Sequence, residues 1–407
     1  MGIKRRVRTL LEKVVEKYGY TMVKEEPNIH QYDLVADQKK VPFDRAAFEK
    51  RDKDSIVVSW VIPPLGPGSG GHLDIFRAID LLSGMGLKHR VYIYGGNEGI
   101  PSSDLKKTVK EYYGIDLGQN EIYANVRKMR YTDAIVATSW ITAYIVRNFD
   151  NAVSKFYFVQ DFEPYFYPMG SEYCFAENTY KFGFRGITAG DWLAQKLREE
   201  YGMETQAFSF SYERELYHPG EKKDDVNRVF FYARPYTERR AFEMGVLALE
   251  KLAEEIPDLE VIFAGQKLIG YEFKFQYKDM GIMRLDELSD MYAQCDLCLV
   301  LSMTNLSLLP MEIMASNSVV VSNRGPNNEW LCSEENSVMV ETDPIDIAEK
   351  MKYYLTHKQE LASKREKGRS YVETLTWEKE LRKVYDFIVA SVSSDLEKME
   401  EQQELKR

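Results

Sequence analysis

Cysteine and histidine are both scarce in this chain. The four cysteines, Cys174, Cys295, Cys298 and Cys332, have no disulfide-framework spacing, which suits a reducing cytoplasm. Cys295 and Cys298 make a CxxC, but no second pair stands near to complete a zinc site. They fall at a helix–strand junction and within an apolar strand, so they read as buried core thiols. The five histidines are dispersed and form no HExxH-type pair. No apolar run approaches the ~20 residues needed to span a bilayer, and no signal peptide is visible. Positive charge is in deficit, with a net charge of -10. That argues against nucleic acid as the main partner, and an anionic ligand would need a local basic cluster.

A folded cytoplasmic protein is left, 44% hydrophobic and 13% aromatic. Its 407 residues exceed one ordinary core, since domains run to ~100–200 residues. Residues 1–54 read as a helical extension followed by an irregular lead-in. Val7, Leu10, Leu11, Val14 and Val15 recur at helical spacing behind a basic start of Lys4, Arg5, Arg6 and Arg8. Two readings stand for that helix: peripheral docking on an anionic, inner membrane face, or packing on the main body or a second subunit. The chain itself is compatible with a monomer or a homodimer.

Residues 55–215 alternate strand and helix. SIVVSWVIPPL is a buried strand, GPGSGGH a glycine-rich turn, and LDIFRAIDLLSGMG a helix. This opens a Rossmann-like unit. Gly66, Gly68 and Gly71 match the dinucleotide fingerprint, but the next strand ends in Gly95 and Gly96, where a ribose-binding acid belongs. The turn, with Gly70 and Gly71, reads better as a loop that lets a ligand approach the backbone. Further on, VQDFEPYFYP begins at a strand's C-terminal end, where parallel sheets bind ligands. It sets Gln160, Asp161 and Glu163 among Phe162, Tyr165, Phe166 and Tyr167. Rings stack on sugar faces and carboxylates accept from hydroxyls, so carbohydrate recognition is one reading. Aromatics that merely cover the sheet are the other.

The pattern restarts over residues 216–375. NRVFFYARP is a strand, and Arg234 at its end is followed by Arg239 and Arg240. Guanidinium forks suit a diphosphate. The apolar strand CDLCLVLS then runs into the polar loop Thr304–Ser307, a short helix opening near Pro310, Glu312, and the strand SVVVSN. The helix start offers unpaired N–H groups to a phosphate. Residues 376–407 read as a C-terminal helix with Val384, Phe387, Ile388 and Val392 on one apolar face. The fold class is therefore α/β, two Rossmann-like domains facing across a cleft.

These residues together resemble the GT-B glycosyltransferases over residues 55–390, and the second half resembles glycosyltransferase family 4. The family's Gly-Arg followed five residues later by Lys falls on Ala233, Arg234 and Arg239. Its two glutamates separated by seven residues fall on Thr304 and Glu312. YAQCDLCLVLS and IMASNSVVVS resemble its flanking runs. More narrowly, the chain resembles the rhamnosyltransferases of bacterial S-layer glycan assembly.

The resemblance implies a retaining hexosyltransferase that uses no metal and no cofactor. Its donor would be a dTDP-sugar, dTDP-β-L-rhamnose, and its acceptor a rhamnose-containing, lipid-linked surface glycan. Arg234 and Arg239 would hold the diphosphate with backbone N–H groups of Ser307, Leu308 and Leu309. Glu312 would accept from the ribose. Arg284 and Leu285 would line the base pocket, and Gly70 and Gly71 the donor site. His72, Gln160, Asp161, Glu163 and Tyr165 would face the sugar and acceptor. Thr304 stands where the family's first glutamate contacts the donor sugar; it would bind the nucleotide sugar too, its neutral hydroxyl implying a differently arranged, 6-deoxy sugar, and no covalent nucleophile is assigned. Two rival functions remain at this stage. One is an NAD(P)-dependent oxidoreductase resting on Gly66, Gly68 and Gly71, and the other a non-catalytic carbohydrate-binding protein suggested by Thr304.

Overall fold

The computed structural model describes residues 29–96 and 99–404. The basic helical start expected over residues 1–20 lies outside them. Two compact units separate at Lys39–Lys40. In the first, the described residues form a 3-10 turn, Ile29–Tyr32, and a short helix, Asp33–Ala36. In the second, the expected irregular lead-in contains a further short helix, Arg45–Glu49, whose Phe48 is buried.

Two parallel sheets make the body of this larger unit. The first contains β1 (Val57–Ile62), β2 (Lys88–Ile93), β3 (Glu121–Tyr123), β4 (Thr132–Ala137), β5 (Ala152–Val159), β6 (Arg185–Ala189) and β7 (Thr205–Phe208). Their spatial order is 3-2-1-4-5-6-7, the doubly wound order with a switch point between β1 and β4. The second contains β8 (Arg228–Tyr232), β9 (Glu260–Ala264), β10 (Gln276–Asp279), β11 (Leu297–Leu299), β12 (Val319–Asn323) and β13 (Val338–Val340). Its order is 10-9-8-11-12-13. Strands such as VVSWVI and VVVSN are almost wholly buried. Both of their faces are covered by helices, which explains the continuous rather than alternating apolar runs. These are the two Rossmann-like halves that the alternation predicts.

The C-terminal helix, Trp377–Glu404, follows the second sheet in sequence but returns to the first. Leu381, Val384, Ile388 and Val392 are buried on it. Phe387 packs edge-on against Phe156 of β5 at 5.9 Å. Asp395 clamps Arg185 through both oxygens at 2.6 and 2.9 Å and accepts from Ser154 at 2.7 Å. Glu380, buried, accepts the Ser209 N–H at 2.8 Å. The helix therefore straps the second half onto the first.

A second join lies at the C-terminal ends of the strands. Gly190, which follows β6, has φ +89, and a Cβ there would stand 2.6 Å from ring atoms of Trp330 in the second half. Only a glycine admits both that backbone and that ring. Gly190→Ala should cost ~1–3 kcal/mol, in the range of overpacked sites. Gly84→Ala, whose added Cβ meets open space, serves as the control. Equal melting of the two variants would show that the Trp330 contact yields freely.

Candidate active site

The cleft between the halves is built first from the end of β8. Ala233 and Arg234 follow that strand, and a 3-10 turn, Glu238–Arg240, leads into the helix Phe242–Glu255. The hinge residue of that turn is Ala241, a non-glycine at φ 46. The Met303 N–H donates to the Arg239 carbonyl at 2.8 Å, tying the turn to the neighbouring loop. Arg240 donates to Ser302 Oγ at 2.7 Å, and burial pushes its pKa down. Arg234 donates to the Gly265 carbonyl at 3.3 Å. The Arg239 guanidinium stands 4.2 Å above the Phe166 ring. Its Nε is buried with no hydrogen-bond partner and lies 3.9 Å from Asp161 Oδ2. Three guanidinium groups thus crowd one strand end. Against the net charge of the whole chain, that is a local anion site.

The loop after β11 is the second component. Thr304 and Asn305 are each 1% exposed. Thr304 Oγ1 donates to Asp161 Oδ2 at 2.7 Å, and the Asn305 N–H donates to Asp161 Oδ1 at 2.9 Å. Asn305 Nδ2 reaches the carbonyls of Gln160 and Ala189, both at 2.9 Å, and its Oδ1 accepts from Trp330 Nε1 at 2.8 Å. A loop of the second half is thereby plugged between the ends of β5 and β6. Thr304, expected at the donor sugar, has its hydroxyl proton committed to Asp161.

The helix Leu309–Ala315 follows, with Leu308 as its N-cap and Pro310 in its first turn. The N–H groups that open a helix have no intrahelical acceptor. Ser307, Leu308 and Leu309 stand at that start. Glu312 is hydrogen-bonded to Tyr217, and burial raises its pKa to about 7. Arg77, in the helix Gly70–Gly84, lies near it and links Asp74 at 3.1 Å to Glu213 at 2.6 Å. Burial also raises Asp74 to about 7. One arginine therefore faces three carboxylates.

The first half supplies the opposite wall. Ser69 caps the helix Gly70–Gly84 by accepting the His72 N–H. Gln160 Nε2 donates to the Gly71 carbonyl at 3.0 Å. The gap is narrow, since a Cβ on Gly71 would be 3.4 Å from Gln160. Tyr165 is 44% exposed and available to a ligand.

Two expected acceptor contacts do not hold. His72 is buried, with Nδ1 on Ser69 Oγ at 2.8 Å and Nε2 on the Pro63 carbonyl at 3.3 Å. Both nitrogens are occupied, so it fastens the glycine-rich turn. Glu163 is buried inside the first half. It accepts from the Trp140 N–H at 3.0 Å and from the Tyr157 hydroxyl, which places it at the start of the helix Trp140–Asn148 and away from the cleft.

Arg284 and Leu285 lie apart from the arginine cluster in sequence and environment. Arg284 is exposed and pairs bidentately with Asp286 at 2.9 and 2.7 Å. Leu285 is 50% exposed at the start of the helix Leu285–Ala293. One Asp-x-Asp, Asp52 and Asp54, precedes β1 at the strand end remote from the cleft, and Asp52 accepts from Ser55 and Lys88. Sequence reasoning missed Asn305, Trp330 and Arg77. Only Asn305, beside Thr304 in the signature loop, carried any local signal.

Family models match both halves. The N-terminal domain model of WsaF covers residues 107–189, and the C-terminal domain model of WsaF covers residues 227–352. The chain belongs to the WsaF family. Among curated relatives, it is 30% identical over 336 residues to the O-antigen biosynthesis protein RfbC of Myxococcus xanthus. That match covers 80% of this chain and 26% of RfbC, so the chain spans about a quarter of that relative's length.

Solved structures align across both halves. Sucrose-phosphate synthase from Thermosynechococcus elongatus superposes with a TM-score of 0.63 at 12% identity, covering 83% of this chain and all (100%) of that one. HepE from Anabaena, in complex with UDP and glucose, gives 0.62 at 15% identity, with 83% and 100% covered. WaaG, a glycosyltransferase involved in lipopolysaccharide biosynthesis, gives 0.57 at 14%, with 82% and 99% covered. At these identities the likeness concerns the fold, and the WsaF-family chain has the GT-B fold.

The buried carboxylates set a pH dependence. Burial raises Glu163 from 4.5 to about 7. The folded state then holds the proton more tightly than the unfolded state. The stabilisation this gives is complete below 4.5 and is lost as pH rises through about 7. Asp74 and Glu312 share that direction. The melting temperature should therefore fall between about pH 4.5 and about pH 7, the window between unfolded and folded pKa values. Glu163→Gln, which mimics the neutral form, should flatten part of the fall. An unaltered slope in the variant would count against a proton held on Glu163.

Proposed function

We propose that this WsaF-family chain is a retaining glycosyltransferase that moves a sugar from a nucleoside diphosphate onto a growing bacterial surface glycan. The observation that carries this reading is the arginine cluster at the end of β8. Arg239 keeps a buried, unpartnered Nε beside Arg234 and Arg240, and its carbonyl is tied to Met303 in the loop that leads to the helix Leu309–Ala315. A diphosphate supplies the acceptors such a cluster lacks. The complexes of HepE with UDP and glucose and with UDP-glucose show that a protein of this fold takes a nucleotide sugar. The O-antigen role in the name of RfbC supports a surface-glycan product.

In the assignment, Arg234 and Arg239 bind the diphosphate, helped by backbone N–H groups of Ser307, Leu308 and Leu309. Glu312 accepts from the ribose, and Gly70 and Gly71 let the donor approach the first half. Arg284 and Leu285 flank the base from an exposed edge. The donor we favour is dTDP-β-L-rhamnose and the acceptor a rhamnose-ended, lipid-linked glycan, which would bring the chain to the inner membrane face. Among the described residues no helix is long and apolar enough to cross a membrane, so this contact would be peripheral.

The transfer needs charge stabilisation at the leaving diphosphate, and preorganised donors supply it. A diphosphate oxygen then takes the proton of the acceptor hydroxyl. The test is incubation with a panel of nucleotide sugars and a rhamnose-ended acceptor, reading nucleoside diphosphate release and product. Release with dTDP-rhamnose is expected, and no release from any donor would overturn the function. Arg234→Ala should lower kcat by ~100-fold or more, the usual cost of one oxyanion donor. At about pH 8, above the raised pKa of Glu312, Glu312→Gln should weaken nucleotide binding by ~1–3 kcal/mol, the range for a charged hydrogen bond. Calorimetry with dTDP would check it, and equal affinity would remove Glu312 from the ribose site.

A further inference from the structure

Position 304 is neutral where the related pattern has a carboxylate, yet the space beside it is not without one. Asp161, two residues beyond β5 in the other half, fills it. Its Oδ2 accepts from Thr304 Oγ1 at 2.7 Å, and its Oδ1 accepts from the N–H groups of Asn305 at 2.9 Å and Phe162 at 2.8 Å. Arg239, a proposed diphosphate ligand, stands 3.9 Å from Oδ2. The side chain keeps 13% of its surface open. A glutamate at 304 would set like charge against Asp161 at hydrogen-bond range, a costly arrangement. Threonine instead donates a proton to it. The two positions are thus complementary across the halves.

We infer that Asp161 supplies from the first half the carboxylate that family 4 carries at position 304, and that it faces the reacting carbon of the donor sugar. The inference rests on the glycosyltransferase reading and reassigns Asp161 from the acceptor to the donor. In the transfer, the bond from the anomeric carbon to the diphosphate oxygen breaks and the bond to the acceptor oxygen forms. The acceptor proton leaves on the diphosphate. The Asp161 carboxylate opposes the positive charge that develops on the sugar ring. Arg239 and Arg240 offset the cost of burying the carboxylate, while burial itself pushes the Asp161 pKa up. Thr304 and Asn305 are positioning residues, since they act only through Asp161. The reaction centre is complete only while the halves are joined, because the carboxylate comes from one and the diphosphate site from the other.

The test compares the full chain with Asp161→Asn, Thr304→Val and Thr304→Ser, measuring kcat, KM for the donor, dTDP affinity and melting temperature. For Asp161→Asn the expected result is a kcat at least ~100-fold lower, with dTDP affinity within about threefold of wild type, a change of ~0.7 kcal/mol or less. For Thr304→Val, kcat should fall by ~10-fold or more with KM unchanged, measured where the variant is folded, and the melting temperature should drop modestly, since a charge-assisted hydrogen bond of ~1.5 kcal/mol is lost. Turnover of Asp161→Asn within threefold of wild type would overturn the inference. So would a Thr304→Val variant whose kcat is unchanged, or a Thr304→Ser variant that keeps the hydroxyl yet loses as much kcat as Thr304→Val. If wild type releases diphosphate from no donor, the glycosyltransferase reading itself fails. A wild type that turns over beside an equally active Asp161→Asn fails this inference alone.

Discussion

The structure depends on a carboxylate that one half buries and the other half satisfies. Asp161 leaves the end of β5 and finds its external donors, Thr304 Oγ1 and the Asn305 N–H, on the second sheet's loop. Asn305 returns the contact with two donated hydrogen bonds to the ends of β5 and β6. A buried polar group without partners costs ~1–3 kcal/mol, and a buried charge without them costs more. Parting the halves would strand several such groups unless water reached them. Gly190 admits Trp330 at the same place, and Trp330 Nε1 closes the network on Asn305. The C-terminal helix secures the far side with Asp395 on Arg185. The two sheets are therefore coupled by polar contacts at the ligand-binding strand ends and by a packed strap behind them.

This coupling shapes the electrostatics of the cleft. The chain is acidic as a whole, yet three arginines meet at the end of β8 and one carboxylate, Asp161, leans toward them from across the gap. Beside the segment between β7 and β8 the balance reverses, with Arg77 alone among Asp74, Glu213 and Glu312. Burial then keeps protons on carboxyl groups that would be ionised in water, as the raised values of Asp74 and Glu312 express. Hydrogen-bond donors thus gather on the β8 side and carboxyl groups on the other. On the proposed function, this polarity would orient a nucleoside diphosphate, phosphates toward the arginines and ribose toward Glu312.

Much of this was legible in the sequence because it is local. Continuous apolar runs separated by amphipathic helices gave two parallel sheets, and the cysteines of the CxxC lie buried as their apolar setting requires. The arginines after β8 and the loop into Leu309–Ala315 could be placed because strand ends in such sheets converge on ligands. What failed was the division of labour within single loops. Asp161 and Glu163 look equivalent in VQDFEP, but the backbone passes from a strand end into a 3-10 turn between them. One carboxylate projects to the other half, while the next turns inward to Tyr157 and the Trp140 N–H. His72 is a similar case, since a histidine in a helix's first turn can face a ligand or grip its own turn, and Ser69 and Pro63 decide for the latter.

Periodicity states which face of an element is buried and says nothing about which distant residue meets it. Trp330 and Gly190 are 140 positions apart in the sequence, and neither carries a mark of the other. The same holds for Thr304 and Asp161. Read alone, a threonine at the signature position is a missing carboxylate. Seen beside Asp161, its hydroxyl is the donor that makes a carboxylate from the other half tolerable at that spot. The apparent loss at 304 is thus better understood as a transfer of charge across the cleft, and its physical signature is the hydrogen bond between the two side chains.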